Sequence, residues 1–227
     1  MLTLEGLRIF VGAFQLHADL TVTPGITAII GASGGGKSTL LTAIAGFQDC
    51  AAGRVTWEGQ DITRAKPHAR PVSMLFQDNN LFPHLTIAQN VGLGLRPNLR
   101  LSDADAEKIS GALRSVGLDG MEGRKPAALS GGQQSRAALA RVLVADRPIV
   151  LLDEPFAALG PGLRAEMLDL VRDQLAGRVV LMVTHDPGDA RQIAQEVIFV
   201  SGGVAGAPTA TGPLFANPPA ALSAYLG

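Results

Sequence analysis

A single cysteine, Cys50, stands among the 227 residues, so no internal disulfide can form and the chain suits a reducing compartment. Cys50 itself reads as structural rather than as a functional thiol. Excess charge is also missing. The 19 Lys and Arg against 20 Asp and Glu leave a formal net charge of −1 and a pI near 6.4. No Lys/Arg cluster builds a basic face, which argues against an electrostatic nucleic-acid binder. No apolar run reaches the ~18 residues of a membrane span, although mean hydropathy is +0.24. The longest candidates, around Leu139–Leu152 and Val179–Val183, are interrupted by Arg141, Asp146 and Arg147 or are too short. An apolar-leaning chain without a span fits a protein with a large partner interface. The start, Met1 to Leu7, alternates like a strand and lacks the charged and apolar regions of a signal peptide. There is no internal repeat and no low-complexity linker. A cytoplasmic chain is expected.

Glycine, by contrast, is abundant: 27 of 227 residues, about 12%, where ~7% is usual. Short β-rich runs alternate with helical patterns, the mark of an α/β domain. Leu2–Val11 and Phe14–Val22 read as a strand pair, and Thr27–Ile30 as a short strand running into a Gly-rich turn and the helix Lys37–Ala45. Val72–Phe76, Ile149–Leu152 and Val179–Val183 are continuous apolar runs, as expected of parallel strands covered on both faces. Each ends in polar residues: Gln77, Asp153-Glu154 and Thr184-His185. Ligands of open α/β sheets sit at the carboxyl ends of strands, so these polar residues are expected at one edge. Between Gln77 and Ile149 the pattern turns helical over Thr86–Leu93, Ser102–Val116 and Ser130–Val144, which reads as an inserted helical subdomain. A short helix over Pro219–Leu226 closes the chain.

The chemistry begins at Gly31-Ala32-Ser33-Gly34-Gly35-Gly36-Lys37-Ser38-Thr39, which satisfies G-x-x-x-x-G-K-[ST] between a strand and a helix. Such a loop lets backbone amides curl round phosphates. Lys37 brings a point charge to the same oxygens, and Ser38 offers a hydroxyl to Mg²⁺. Asp153 and Glu154 end an apolar strand side by side. Successive strand side chains diverge, so Asp153 can serve the Mg²⁺ shell while Glu154 accepts the proton of an attacking water. Gln77 is expected to orient water or touch Mg²⁺, and His185 to hydrogen-bond the γ-phosphate.

A second Gly-rich turn, Leu129-Ser130-Gly131-Gly132-Gln133, precedes an Ala/Leu/Val/Arg-rich helical stretch. Alone it reads as a capped helix start. A small-residue turn opening a helix is also an anion site, and the phosphate-binding residues elsewhere in the chain favour that second reading.

With these motifs in this order, the chain resembles the ATP-binding cassette (ABC) ATPases of membrane transporters over nearly its whole length. The resemblance implies a P-loop nucleoside-triphosphatase (RecA-like) α/β core with an N-terminal antiparallel β-subdomain and an inserted α-helical subdomain at about 82–145. It implies a single ATPase domain over 1–227 without a C-terminal regulatory domain. It implies ATP and Mg²⁺ as cofactors, and a homodimer in which Ser130, Gly131, Gly132 and Gln133 of one subunit close over nucleotide held by the other. Adenine would stack on Phe10, with Phe14 the alternative. Partners would be integral-membrane permease subunits and, indirectly, a periplasmic solute-binding protein. The location would be peripheral, at the cytoplasmic face of the membrane. The run Pro71 to Leu95 is most similar to that of bacterial thiamine importers, so the implied solute is thiamine. Two departures stand out. Ser135-Arg136 follows the second turn where the family commonly has Gln-Arg. Ala157-Ala158-Leu159-Gly160 stands where Ser-Ala-Leu-Asp is usual, and Gly160 has no carboxylate to couple two sites. Cassettes acting on DNA or ribosomes resemble tandem arrays or carry coiled-coil insertions, and neither is found here. A regulatory nucleotide-binding module remains the alternative that an ATPase assay separates. A GTPase would need Asn-Lys-x-Asp, which is missing, and neither a GTPase nor a small-molecule kinase accounts for Leu129–Gln133.

Overall fold

Alternation of apolar residues decides which face of the first strand is buried. In a computed structural model covering residues 1–227, β1 (Leu2–Val11) buries Leu2, Leu4, Leu7 and Ile9. The parity changes between Leu4 and Leu7, and a bulge in the register at that point returns both halves to the same face. Its antiparallel partner β2 (Phe14–Val22) buries Leu16, Ala18, Leu20 and Val22 without interruption. β3 (Gly25–Ile30) is buried nearly throughout and leads through the Gly-rich turn into α1 (Lys37–Ala45). β4 (Ala52–Trp57) and β5 (Gln60–Asp61) extend the antiparallel part, and β6 (Val72–Leu75) follows.

Three helices come next: α2 (Ile87–Gly92), α3 (Asp103–Ser115) and α4 (Gly131–Ala145). The chain then returns through β7 (Ile149–Asp153), α5 (Pro161–Gln174), β8 (Val179–Val183), α6 (Pro187–Ile193) and β9 (Glu196–Ser201). β10 (Val204–Ala205), β11 (Thr209–Ala210), α7 (Thr211–Ala216) and α8 (Ala220–Leu226) complete it. The expected strands and helices are present, with ends displaced by one or two residues. Thr86, Ser102 and Ser130 stand just outside their helices as N-caps rather than inside them.

Two units form. The first comprises Met1–Val72, Pro148–Glu154 and Gly177–Gly227, and the second Ser73–Arg147 and Pro155–Ala176. Strands of the first unit run in the order β5-β4-β1-β2-β10-β9-β3-β8-β7. β9, β3, β8 and β7 pair in parallel, and their continuous apolar runs fill both faces of the sheet. In the second unit α4 packs on α2, α3 and α5. Its interior includes Ile87, Val91, Ile109, Leu113 and Leu139.

Candidate nucleotide site

The carboxyl ends of β3, β7 and β8 bring three groups together in the first unit. After β3 the loop wraps round its own lysine: the buried Lys37 ammonium donates to the carbonyl oxygens of Gly31 at 2.9 Å and Ala32 at 3.0 Å. That fixes the charge inside the loop. Gly36 has φ 98° at the start of α1 and no side-chain cap, so the first amides of α1 stay open to an anion. The Phe14 ring lies against Gly36 so closely that a Cβ there would stand 2.9 Å from it.

At the end of β7, Asp153 Oδ1 accepts from Ser38 Oγ at 3.0 Å. Burial raises the Asp153 carboxyl above the ordinary range, opposed by the Ser38 hydrogen bond and the Lys37 charge. Glu154 follows at φ 45°, in the left-handed region that side-chain-bearing residues seldom adopt, and its amide donates to Val183 O. Its Oε2 meets His185 Nδ1 at 3.3 Å. With the carboxylate ionised, Nδ1 carries the proton of that pair. A cleft of about 370 Å³ is lined by Val11, Phe14, residues of the Gly31–Thr39 loop and Glu154. Phe14 thus lines the cleft, whereas Phe10 is 49% exposed and does not.

The remaining site candidates belong to the second unit. Gln77 is exposed just after β6. The segment behind it is tied down by residues that the motifs did not reveal. Asn79 and Asn80 both have positive φ, and Arg141 donates to both of their carbonyl oxygens, at 2.9 and 2.8 Å. Fully buried Asn90 accepts from the Phe82 amide at 2.7 Å and donates to the carbonyls of Phe82, Leu85 and Thr86. Ser135 belongs to the same network: its buried hydroxyl accepts from Asn79 Nδ2 and donates to Gly131 O, each at 3.2 Å. The Ser at this position therefore links the segment after Gln77 to the first turn of α4.

In the second Gly-rich turn, Ser130 Oγ accepts from the Gln133 amide at 3.3 Å, and Gln133 Oε1 accepts from the Ser130 amide at 3.0 Å. This is a complete capping box. Gly132 is buried because a Cβ there would overlap Leu163 of α5. Gly160, the N-cap of α5, has an ordinary extended backbone and open space where a Cβ would stand, so its lack of a carboxylate is not imposed by packing.

Fold and site together define a P-loop nucleotide-binding protein. Residues 17–157 match the ABC transporter family model. The chain is 56% identical to the thiamine import ATP-binding protein ThiQ of Ruegeria sp. (strain TM1040), spanning 100% of both chains. It is 58% identical to the protein of that name from Cereibacter sphaeroides, again over 100% of both. A dimeric bacterial ABC transporter cassette of known structure matches with a TM-score of 0.80 and 27% identity, covering 93% of this chain and 99% of that one. The chain belongs to the ABC transporter family.

Proposed function

We propose that this chain is the ATP-hydrolysing subunit of an ABC importer that takes up thiamine, a single ATPase domain whose helical segment is a subdomain inserted in the core. The observation that carries the hydrolytic reading is the alignment of Lys37, the Ser38–Asp153 pair and the Glu154–His185 pair at neighbouring strand ends. The solute rests on the full-length relatives named for thiamine import.

The chemistry follows from the placements. Backbone amides of residues 31–39 and the Lys37 charge bind and polarise the phosphates. Glu154 takes the proton of a water attacking the γ-phosphorus as the bond to the bridging oxygen breaks. His185 holds the Glu154 carboxylate through Nδ1–H, and as an imidazolium it would also donate from Nε2 to the same phosphate. Ser38 and Asp153 offer adjacent hard oxygens, and no group of three or more His, Cys, Asp or Glu forms a protein-only cage. That suits Mg²⁺, which keeps waters and shares a carboxylate with substrate phosphates. When bound, it supplies charge neutralisation at the phosphate oxygens. Gln77 would be a further contact.

The site is completed by a second copy of the chain, whose Ser130–Gln133 turn closes over the nucleotide. Dimeric cassettes among the structural relatives support this arrangement. The exposed segment with Phe82 after Gln77 is the face for the membrane-embedded permease subunits. The chain has no helix long and apolar enough to cross a membrane, in keeping with peripheral attachment at the cytoplasmic face. A periplasmic solute-binding protein would act through those subunits. The test is ATP turnover by the chain assembled with its permease in vesicles. Stimulation by thiamine with its solute receptor is expected, and stimulation by an unrelated solute alone would overturn the substrate assignment.

A further inference from the structure

His185 is half exposed yet has to keep its imidazole on Glu154. Its chain neighbours are held locally. Buried Thr184 donates to Asp189 Oδ2 at 2.5 Å, and Asp186 caps α6 by accepting from the Gly188 amide at 2.8 Å. His185 itself has a remote tether. Tyr225 Oη donates to the His185 carbonyl at 3.0 Å across a separation of 40 residues.

Tyr225 is well placed for this. Its ring stands 6.0 Å from that of Phe199 on β9, and Leu222, one turn earlier on α8, is fully buried against Ala28, Ile30, Ala190, Val197 and Leu214. Burial raises the phenol above its ordinary pKa, which keeps its proton in place for that bond.

We infer that Tyr225 is a positioning residue for His185, holding its carbonyl so that the imidazole stays on Glu154. This rests on the ATPase reading above, in which His185 and Glu154 serve hydrolysis. Removing the hydroxyl leaves the ring packing on Phe199 and frees one carbonyl, so the fold should persist while the His185 geometry loosens. One hydrogen bond of ordinary strength corresponds to about a five-fold change in rate.

The experiment compares Tyr225→Phe, Tyr225→Ala and His185→Ala with the unaltered chain, each assembled with its permease subunits. Expected for Tyr225→Phe are a kcat about five-fold lower, an unchanged KM for ATP, an unchanged melting temperature and faster amide exchange at residues 184–186. Unchanged turnover together with unchanged exchange overturns the inference. Unchanged turnover with faster exchange also overturns it, while showing that the tether is real. If His185→Ala turns over like the unaltered chain, the failure lies in the role given to His185 in the ATPase reading. Loss of melting temperature in Tyr225→Phe equal to that in Tyr225→Ala would reduce Tyr225 to a packing residue and overturn the inference as well.

Discussion

Two Gly-rich turns in this protein open helices, and they treat the first helical amides in opposite ways. At Gly31–Thr39 the cap position is Gly36 at φ 98°, no side chain caps α1, and Lys37 is drawn into the loop. At Leu129–Gln133 the Ser130–Gln133 box already engages the amides at both ends, and Gly132 is small because Leu163 packs on it. Two further helices of that unit carry boxes too, Thr86 with Gln89 on α2 and Ser102 with Asp105 on α3. A turn whose first helical amides carry no side-chain cap is ready for an anion at once. The box uses the Ser130 and Gln133 amides and not those of Gly131 and Gly132, which a nucleotide brought by the proposed second copy would meet. The difference teaches that glycine content alone does not make a phosphate site; the cap decides.

The comparison can be broken at several points. The largest effect is expected at the chemical step: Glu154→Gln should lower ATP turnover by about 10²–10⁴-fold while ATP is still bound and dimers accumulate. Near-normal turnover in that variant would remove Glu154 as the base. Next, Gly132→Ala places a methyl into Leu163 and should destabilise the helical unit by about 1–3 kcal/mol, seen as a lower denaturant midpoint. An undisturbed midpoint would mean that Gly132 is kept for ligand approach instead. Ser130→Ala removes a cap worth about 1 kcal/mol, whereas Ser33→Ala in the uncapped turn should leave the melting temperature in place.

The smallest effect is one of pH. Arg96 donates to Asp105 at 2.7 Å, and the Ser102 amide and hydroxyl donate to the same oxygen at 3.0 Å. The Arg96 hydrogen bond, then that of the Ser102 amide, holds the Asp105 carboxyl down to about 2. A carboxyl depressed in the folded state contributes stability that is full above its unfolded value, near ~3.9, and disappears as pH falls through about 2. Asp105→Asn should flatten acid unfolding of the helical unit within that window, and equal acid sensitivity of the two proteins would refute the assignment.

Much of this was legible in the residues. The strand pair at the start, the three apolar strands and their polar ends follow from period and run length, because burial on one or two faces leaves those patterns. The phosphate loop was equally plain. The boxes at Thr86, Ser102 and Ser130 also had a sequence signal, S/T followed three residues later by Gln or Asp. The rest depends on long-range contacts that no local spacing encodes. Arg141 on two asparagine carbonyls lies 62 and 61 residues away in sequence, and Tyr225 lies 40 from His185. The left-handed backbone of Glu154 was hidden because a following proline usually pushes the residue before it to extended backbone. Phe14 and not Phe10 lines the cleft because side-chain direction alternates along the β1–β2 pair: Phe14 stands opposite Val11, which also lines it, while Phe10 stands opposite Gln15 on the other face.

The central claim is that one chain's phosphate turn works with the other chain's capped turn. It is tested most directly by ATP turnover in two kinds of mixed dimer. In the first, one subunit carries Lys37→Ala and the other Ser130→Arg. In the second, a single subunit carries both changes beside an unaltered partner. The account predicts turnover in the first, where one composite site stays whole, and none in the second, where both are broken. Turnover in the second exceeding or equalling that in the first would contradict it.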